Sequence, residues 1–361
     1  MDPAPADRLL EWFRASARSL PWRGPFPRDP YLVLVSEVMA QQTQLERVVP
    51  AFLRFVERFP SVQALAAADV DEVLHAFSGL GYYRRARLLH RAARSVVERG
   101  AWLTTSRELR TLPGFGPYTA AAVAAFAFGG EDPPVDGNIA RVAARLRAVS
   151  LPLGSGNLLR EARAVASEMF AAAATPEVWE ALMELGATVC APAAPRCGSC
   201  PLAPGCAARS AGTPSAFPLP RTARARQEER WAVAWLQRAD GAVLLRRVEE
   251  GPLLAGLWLP PFAVVAAGDA PAAVARALAR EAGADVPLVP RPPVRHGITH
   301  RDIRVLPYAG AVEAARVGET RSGWSWQHPE RPALATSSLL AKLAAACASP
   351  AAFLPLSESE V

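Results

Sequence analysis

Lysine is almost absent from this chain of 361 residues: of 40 Lys and Arg, only Lys342 is lysine. The chain terminus aside, the N-terminal two-thirds therefore offers no amine of the kind that attacks a carbonyl carbon to form a Schiff base. Long apolar runs are missing too. None approaches the roughly 18 residues that a membrane helix needs, and the longest candidate, Tyr118 to Phe128, is short and mostly alanine. The first residues, Met1 to Asp7, are acidic and proline-bearing, without the charged-then-apolar pattern of a signal peptide. Cysteine is scarce, with five residues in all, which argues against a disulfide-stapled secreted scaffold. The expectation is a soluble, cytoplasmic protein with no membrane partner.

What is present points to two domains. A chain that is 51% hydrophobic at this length can bury a substantial core, and a formal charge of +6 leans toward a polyanionic partner. From residue 8 to 190 the apolar spacing is helical, notably over Leu32–Phe59 and Asp69–Arg99, broken by Pro60 and the Gly79–Gly81 turn. Ile139, Val142, Ala143, Leu146 and Val149 form a further stripe. A Pro/Ser/Arg-rich stretch over 209–228 reads as a linker. Beyond it, WAVAWLQ, GAVLLRRV and IRVLPYAG read as strands, the first two joined by the turn signal RADG, and Pro271–Ala282 reads as a helix. The expected fold class is multidomain: an all-α domain over 1–208, the linker 209–228, a smaller α+β domain over 229–350 and a flexible tail over 351–361.

Two local patterns carry chemistry. Cys190, Cys197, Cys200 and Cys206 have the spacing Cys-x6-Cys-x2-Cys-x5-Cys within one Pro/Gly-rich stretch. Four thiolates on such a loop suit zinc or a [4Fe–4S] cluster, and the single Cys-x2-Cys pair favours the cluster, since zinc ribbons pair two such knuckles. Cys347 stands apart as an ordinary thiol. The second pattern is LPGFGPYTA, in which Gly114 and Gly116 form a turn before a helix opening at Pro117. Glycines let backbone approach an anion, and the N–H groups of a helix start point at it. This fits a helix-hairpin-helix pattern for gripping a DNA phosphate through the backbone, and equally a simple helix–helix connector. Around it, Asp136 opens a helix in VDGNIARVAARL, and Glu37, Gln41 and Gln44 fall on one helical face at i, i+4 and i+7. Taken singly, Asp136 could be only an N-cap, Glu37 a solvated residue and Tyr82–Tyr83 core aromatics.

Taken together, LPWR, SEVMAQQTQ, GLGYYRRAR, LPGFGPYTA, VDGN and ALMELGATVC resemble the helix-hairpin-helix DNA glycosylases that carry a four-cysteine iron–sulfur loop, over roughly residues 8–208. Within that family the motifs resemble the branch that removes adenine mispaired with 8-oxoguanine. The resemblance implies a [4Fe–4S] cluster on Cys190, Cys197, Cys200 and Cys206. It implies Glu37 as general acid and helper of water attack, Asp136 as the ionised group facing an oxocarbenium-like sugar, and Asn138 and Tyr118 as groups that orient them. Trp22, Arg23 and Glu184 match positions lining the pocket for a flipped adenine. Gln41, Gln42 and Tyr82 match residues that enter the duplex beside 8-oxoguanine. The family's usual leucine is replaced by Ala40. Relatives that cut the strand keep a lysine nucleophile where this chain has Tyr118, so a monofunctional glycosylase is expected.

The segment LLAGLWLPP at 253–261 resembles the Nudix-like C-terminal domain of that branch. A Nudix hydrolase needs several helical carboxylates to hold magnesium; here only Glu281 stands in that place, so a recognition domain is expected. The family's Phe-Ser-His reading loop corresponds to Ile298-Thr299-His300, leaving Thr299 and His300 as the candidate contacts to 8-oxoguanine. The partner implied is double-stranded DNA with 8-oxoguanine:A or G:A mispairs, bound by a monomer. The resemblance also admits a sliding-clamp contact, for which no motif is found. Competing readings are an endonuclease III-like pyrimidine glycosylase, opposed by the missing lysine, and a non-catalytic iron–sulfur DNA-binding protein, which would not need both Glu37 and Asp136.

Overall fold

A computed structural model describes residues 4–221, 225–249, 251, 253–313 and 322–348. The chain divides into two compact units: Met1–Ala67 with Leu88–Ala223, and Ala68–Arg87 with Arg224–Val361.

The first unit is helical. Two of its helices are apolar all round, the pattern of helices buried on every side. One is Pro30–Ala40, which starts with proline at its first position, where a missing N–H is harmless. Asp29 caps it by accepting from Tyr31 N at 2.8 Å. The other is Pro117–Phe128, whose residues Thr119 to Ala127 are all buried. These two helices pack on each other. The alanines let the backbones approach, and the packing places Glu37 and Tyr118 on neighbouring walls.

A second pair supports Asp136. Helix Gly137–Leu146 lies against Glu177–Thr188, and Gly186 makes the approach possible: a Cβ there would sit 2.6 Å from Asn138 Cβ and 3.0 Å from its Cα. Behind them Trp179 is fully buried, stacked on Phe170 at 4.6 Å and donating from Nε1 to Ala166 O at 3.0 Å.

Two expectations change here. The helix expected over Leu32–Phe59 is two helices, Pro30–Ala40 and Leu45–Arg58. The break sets Gln44 outside the first helix, at the N-cap position of the second without a side-chain cap hydrogen bond, and Gln42 adopts φ +55 in the connecting turn. Within the stretch read as a linker, residues before 222 are tied to the first unit. Leu153 N and Leu219 N donate to Leu219 O and Leu151 O at 2.9 and 3.0 Å.

The second unit is α+β, as expected. Its described residues form one eight-stranded sheet: β1 Gln227–Gln237, β2 Val243–Arg247, β3 Trp258–Leu259, β4 Phe262–Val264, β5 Val289–Pro290, β6 Val294–Ile298, β7 Arg301–Ala311 and β8 Trp324–Gln327. The order is β3-β2-β1-β7-β5, with β4 on β1, β6 on β7 and β8 on β2. Strands β1 and β7 run parallel, with Gln227 opposite Arg301 and Gln237 opposite Ala311. Residues 231–236 of β1 are buried without alternation because both faces are covered. Trp231, Val233 and Trp235 pack with Leu339, Leu340 and Leu343 of helix Ser338–Ala348. Ala234 and Leu236 pack with Leu278 and Ala279 of helix Pro271–Glu281. The tail expected over 351–361 lies outside the described residues.

Candidate active site

The first unit contains a cavity of about 1090 Å³, large for a ligand site. Eleven residues singled out from the sequence line it: Trp22, Arg23, Glu37, Gln41, Gln42, Gly114, Gly116, Tyr118, Asp136, Asn138 and Glu184. They come from segments spread over more than 160 residues of chain. Ala40 lines the same cavity, one turn beyond Glu37.

Two carboxyl groups of different character meet there. Burial raises the Glu37 carboxyl from 4.5 to about 7; the Tyr118 hydrogen bond and Arg23 oppose the shift, while Glu180 and Asp136 add to it. Tyr118 is itself raised well above the ordinary phenol value, by burial and by the Glu37 and Asp136 charges, so it stays a donor toward Glu37. Its hydroxyl also lies 3.9 Å from Met183 Sδ.

Asp136 is the N-cap of Gly137–Leu146. Its Oδ1 accepts from Asn138 N at 2.9 Å and Ile139 N at 2.8 Å, and Oδ2 from Asn138 Nδ2 at 2.6 Å. Burial pushes its pKa up, against the pull of these donors and of Arg141. All three donors are N–H groups, which can only donate, and the helix N-terminus adds positive potential. Both features favour the carboxylate. Asn138 is held in turn, its Oδ1 accepting from Arg141 Nη2 at 2.8 Å. Arg141 also donates to Gly186 O at 2.8 Å and Cys190 O at 2.9 Å.

Two buried glutamates, Glu180 and Glu184, also line the cavity and are held by arginines. Glu184, with no side-chain exposure, accepts from Arg18 Nε at 2.6 Å and Nη2 at 3.0 Å, and from Arg23 Nη2 at 2.8 Å. Burial alone would raise its carboxyl, but the two arginines outweigh it and hold the pKa low. Glu180 pairs with Arg28 at 2.6 and 2.8 Å. Arg18, Arg28, Glu180, Met183 and Arg141 were not singled out from the sequence. Glu180 had a signal, since it lies one helical turn before Glu184.

Among the lining residues, Gly114 has φ +80, and a Cβ there would lie 2.7 Å from Leu88 Cβ, so glycine is required. Gly116 is the N-cap of Pro117–Phe128. No side chain caps this helix end, and a Cβ at Gly116 would meet nothing within 4 Å. The site is thus open to an anion outside the protein.

The four clustered cysteines do not line the cavity. They follow helix Glu177–Thr188, each partly buried. Burial raises the Cys200 thiol to about 11, and the other three thiols add to the shift, so all four share one locality. Arg145 anchors the loop: Nη1 donates to Cys190 O at 3.1 Å, Cys190 Sγ at 3.3 Å and Ala191 O at 2.8 Å, and Nη2 to Pro192 O at 2.9 Å. Among the described residues no three His, Cys, Asp or Glu are set to hold a single metal ion.

Tyr82, Thr299 and His300 belong to the second unit and do not line this cavity. Thr299 sits at φ +57 in the two-residue turn between β6 and β7, an unfavourable conformation for a β-branched residue. Its hydroxyl lies 3.3 Å from His300 Nδ1. Tyr82 and Gln42 also have positive φ. Among the described residues, three of the six such non-glycine residues are therefore ones singled out for DNA contact, and strain of this kind gathers at functional sites. Glu281, the lone carboxylate in the Nudix-like position, is paired with Arg246 at 2.7 Å. Among the described residues no helix is long and apolar enough to cross a membrane.

Residues 35–153 match the HhH-GPD superfamily of base excision DNA repair proteins. The chain is 42% identical over 220 residues to an adenine DNA glycosylase of Mycobacterium tuberculosis (strain ATCC 25618 / H37Rv), covering 60% of this chain and 71% of that protein. It is 41% identical over 210 residues to a human adenine DNA glycosylase, covering 56% of this chain and 38% of the relative. The chain thus spans under two-fifths of the human relative's length. A solved thermostable thymine-DNA glycosylase superposes with a TM-score of 0.50 at 25% identity, covering 57% of this chain and 95% of that one.

Proposed function

The chain belongs to the adenine DNA glycosylases of the HhH-GPD superfamily, and from that premise we propose that it hydrolyses the N-glycosidic bond of adenine mispaired with 8-oxoguanine or guanine in double-stranded DNA. The observation that carries the reading is the Glu37–Asp136 pair. One carboxyl holds its proton to about pH 7, while the other is wrapped in N–H donors at a helix start, on the same cavity. Departure of a purine makes these two demands: a proton for the leaving base and negative charge against the sugar.

The adenine turns out of the stack into the cavity, with Trp22, Arg23 and Glu184 around it. Glu37 gives its proton to a ring nitrogen, with the Tyr118 hydroxyl fixing the carboxyl's orientation. Asp136, held by Asn138, stabilises the cationic sugar as the bond breaks. Glu37, now ionised, takes a proton from the attacking water. No lysine lines the cavity, so the reaction ends at base removal.

Gly114, Gly116 and the helix start at Pro117 hold a DNA phosphate by backbone N–H groups. Gln41, Gln42 and Tyr82 enter the duplex, and Thr299 and His300 read 8-oxoguanine in the opposite strand. Cys190, Cys197, Cys200 and Cys206 hold a [4Fe–4S] cluster, which when bound supplies a rigid cross-link and a redox-capable centre. The protein works as a monomer.

The test is incubation with duplexes containing 8-oxoguanine:A, G:A and thymine glycol, followed by alkali. Alkali-labile sites at adenine in the first two are expected. Cleavage at thymine glycol alone would mean a pyrimidine glycosylase.

A further inference from the structure

The chain between Phe77 and Arg87, within the second unit, makes a constrained turn. Tyr82 has φ +51 and is 44% exposed as a residue. A bulky residue in the left-handed region is held there by its surroundings. The holding group is Arg85, three residues on and only 9% exposed. Its Nη2 donates to Leu80 O and Gly81 O, each at 3.1 Å. Its guanidinium lies 5.3 Å from the centre of the Phe77 ring and 5.5 Å from that of Tyr82. Its own backbone N donates to Tyr82 O at 2.8 Å.

Arg85 thus grips the carbonyls before Tyr82, the carbonyl of Tyr82 and the Tyr82 ring. The next residue fixes the floor of the turn: Tyr83 Oη donates to Thr336 O at 2.7 Å. An arginine serving a DNA phosphate would present its head to solvent; this one is turned inward. Its fork geometry suits the double carbonyl contact and its flat face suits the rings, and a lysine could not supply both.

We propose that Arg85 is a positioning residue that locks the Tyr82 turn, so that the Tyr82 ring projects as a pre-formed stacking platform for a base of the opened duplex. The inference rests on the DNA-glycosylase reading above. A platform ordered before binding loses less side-chain freedom on contact, and stacking on an aromatic face accepts any base. Arg85 therefore acts on DNA affinity through Tyr82 alone.

Two measurements test this. The first needs no DNA: the protein is labelled with 3-fluorotyrosine, and the Tyr82 fluorine signal is assigned by its loss in Tyr82→Phe. In Arg85→Lys and Arg85→Met that signal is expected to move toward the position of free fluorotyrosine while the other tyrosine signals stay; an unmoved Tyr82 signal overturns the proposal. The second is affinity for a duplex carrying an uncleavable adenine analogue opposite 8-oxoguanine. Arg85→Met is expected to weaken binding on the order of tenfold, and by less than about twofold when Tyr82 is already alanine. Equal losses in both backgrounds, or no loss in either, overturn the proposal. If wild-type protein binds the analogue duplex no better than a fully paired one, the functional reading fails, while the fluorine signal still decides what Arg85 does.

Discussion

Replacing Glu37 with glutamine moves stability and activity in opposite directions. In the folded protein burial keeps the Glu37 proton to about pH 7, against an ordinary value of 4.5. Because the folded state holds a proton that the unfolded chain has released, stability falls as pH rises from about 4.5 to about 7 and is level above that. At 1.36 kcal/mol per pH unit, the full loss is about 3 kcal/mol. The cavity admits water, which screens the charge, so the measured loss should lie between about 1 and 3 kcal/mol. The glutamine amide has no charge to desolvate. Denaturant unfolding of both proteins at pH 5 and pH 8 is the assay. The Glu37→Gln variant should exceed wild type by less than about 1 kcal/mol at pH 5 and by the stated amount at pH 8. Adenine release should be lost at both values. A stability difference that is the same at both pH values would refute the assignment of the buried proton to Glu37.

Asp136→Asn keeps a capping side chain but removes the charge. It should lower single-turnover adenine release by at least about a hundredfold with DNA affinity little changed, and lower the thermal midpoint, since its amide Nδ2 would face the donor Asn138 Nδ2. Gly186→Ala would drive a methyl into Asn138, 2.6 Å away at Cβ; destabilisation of about 1–3 kcal/mol and slower base release are expected, read by unfolding and single-turnover assays. Tyr118→Lys places an amine on the cavity wall, so borohydride should trap a covalent DNA adduct; a folded variant that traps none would mean that position 118 does not face the sugar. Cys200→Ala should lose iron and inorganic sulfide together on chemical analysis, whereas loss of zinc would contradict the cluster.

The parts of the site legible in the sequence are those written locally. Asp136 beside Gly137 and Asn138 encodes a cap. Gly114 and Pro117 encode a turn and a helix start. The four cysteines share one loop. Strands β1 and β2 with the turn between them were equally visible, because their apolar runs and RADG are short-range signals. What was hidden depends on pairing across the chain. Arg28 meets Glu180 and Arg18 meets Glu184 more than 150 residues away, and no local pattern announces such a partner. Gln44 lines the cavity with Glu37 and Gln41, but across a turn at 41–44 rather than along one continuous helix, and no local pattern announced that turn. The grouping of 68–87 with the sheet-bearing unit was invisible for the same reason: Asp71 pairs with Arg247 at 2.8 Å, across 176 positions.

Adenine release at this cavity, with the strand left whole, is the step to measure. The direct measurement is a single turnover on an 8-oxoguanine:A duplex, with free base identified chromatographically and the strand examined before and after alkali. Free adenine, with a strand that stays intact until alkali is added, is the expected result, and its rate should fall as pH rises through about 7 with the loss of the Glu37 proton. Strand scission concurrent with base loss, or no adenine from a duplex that is bound, would contradict the account.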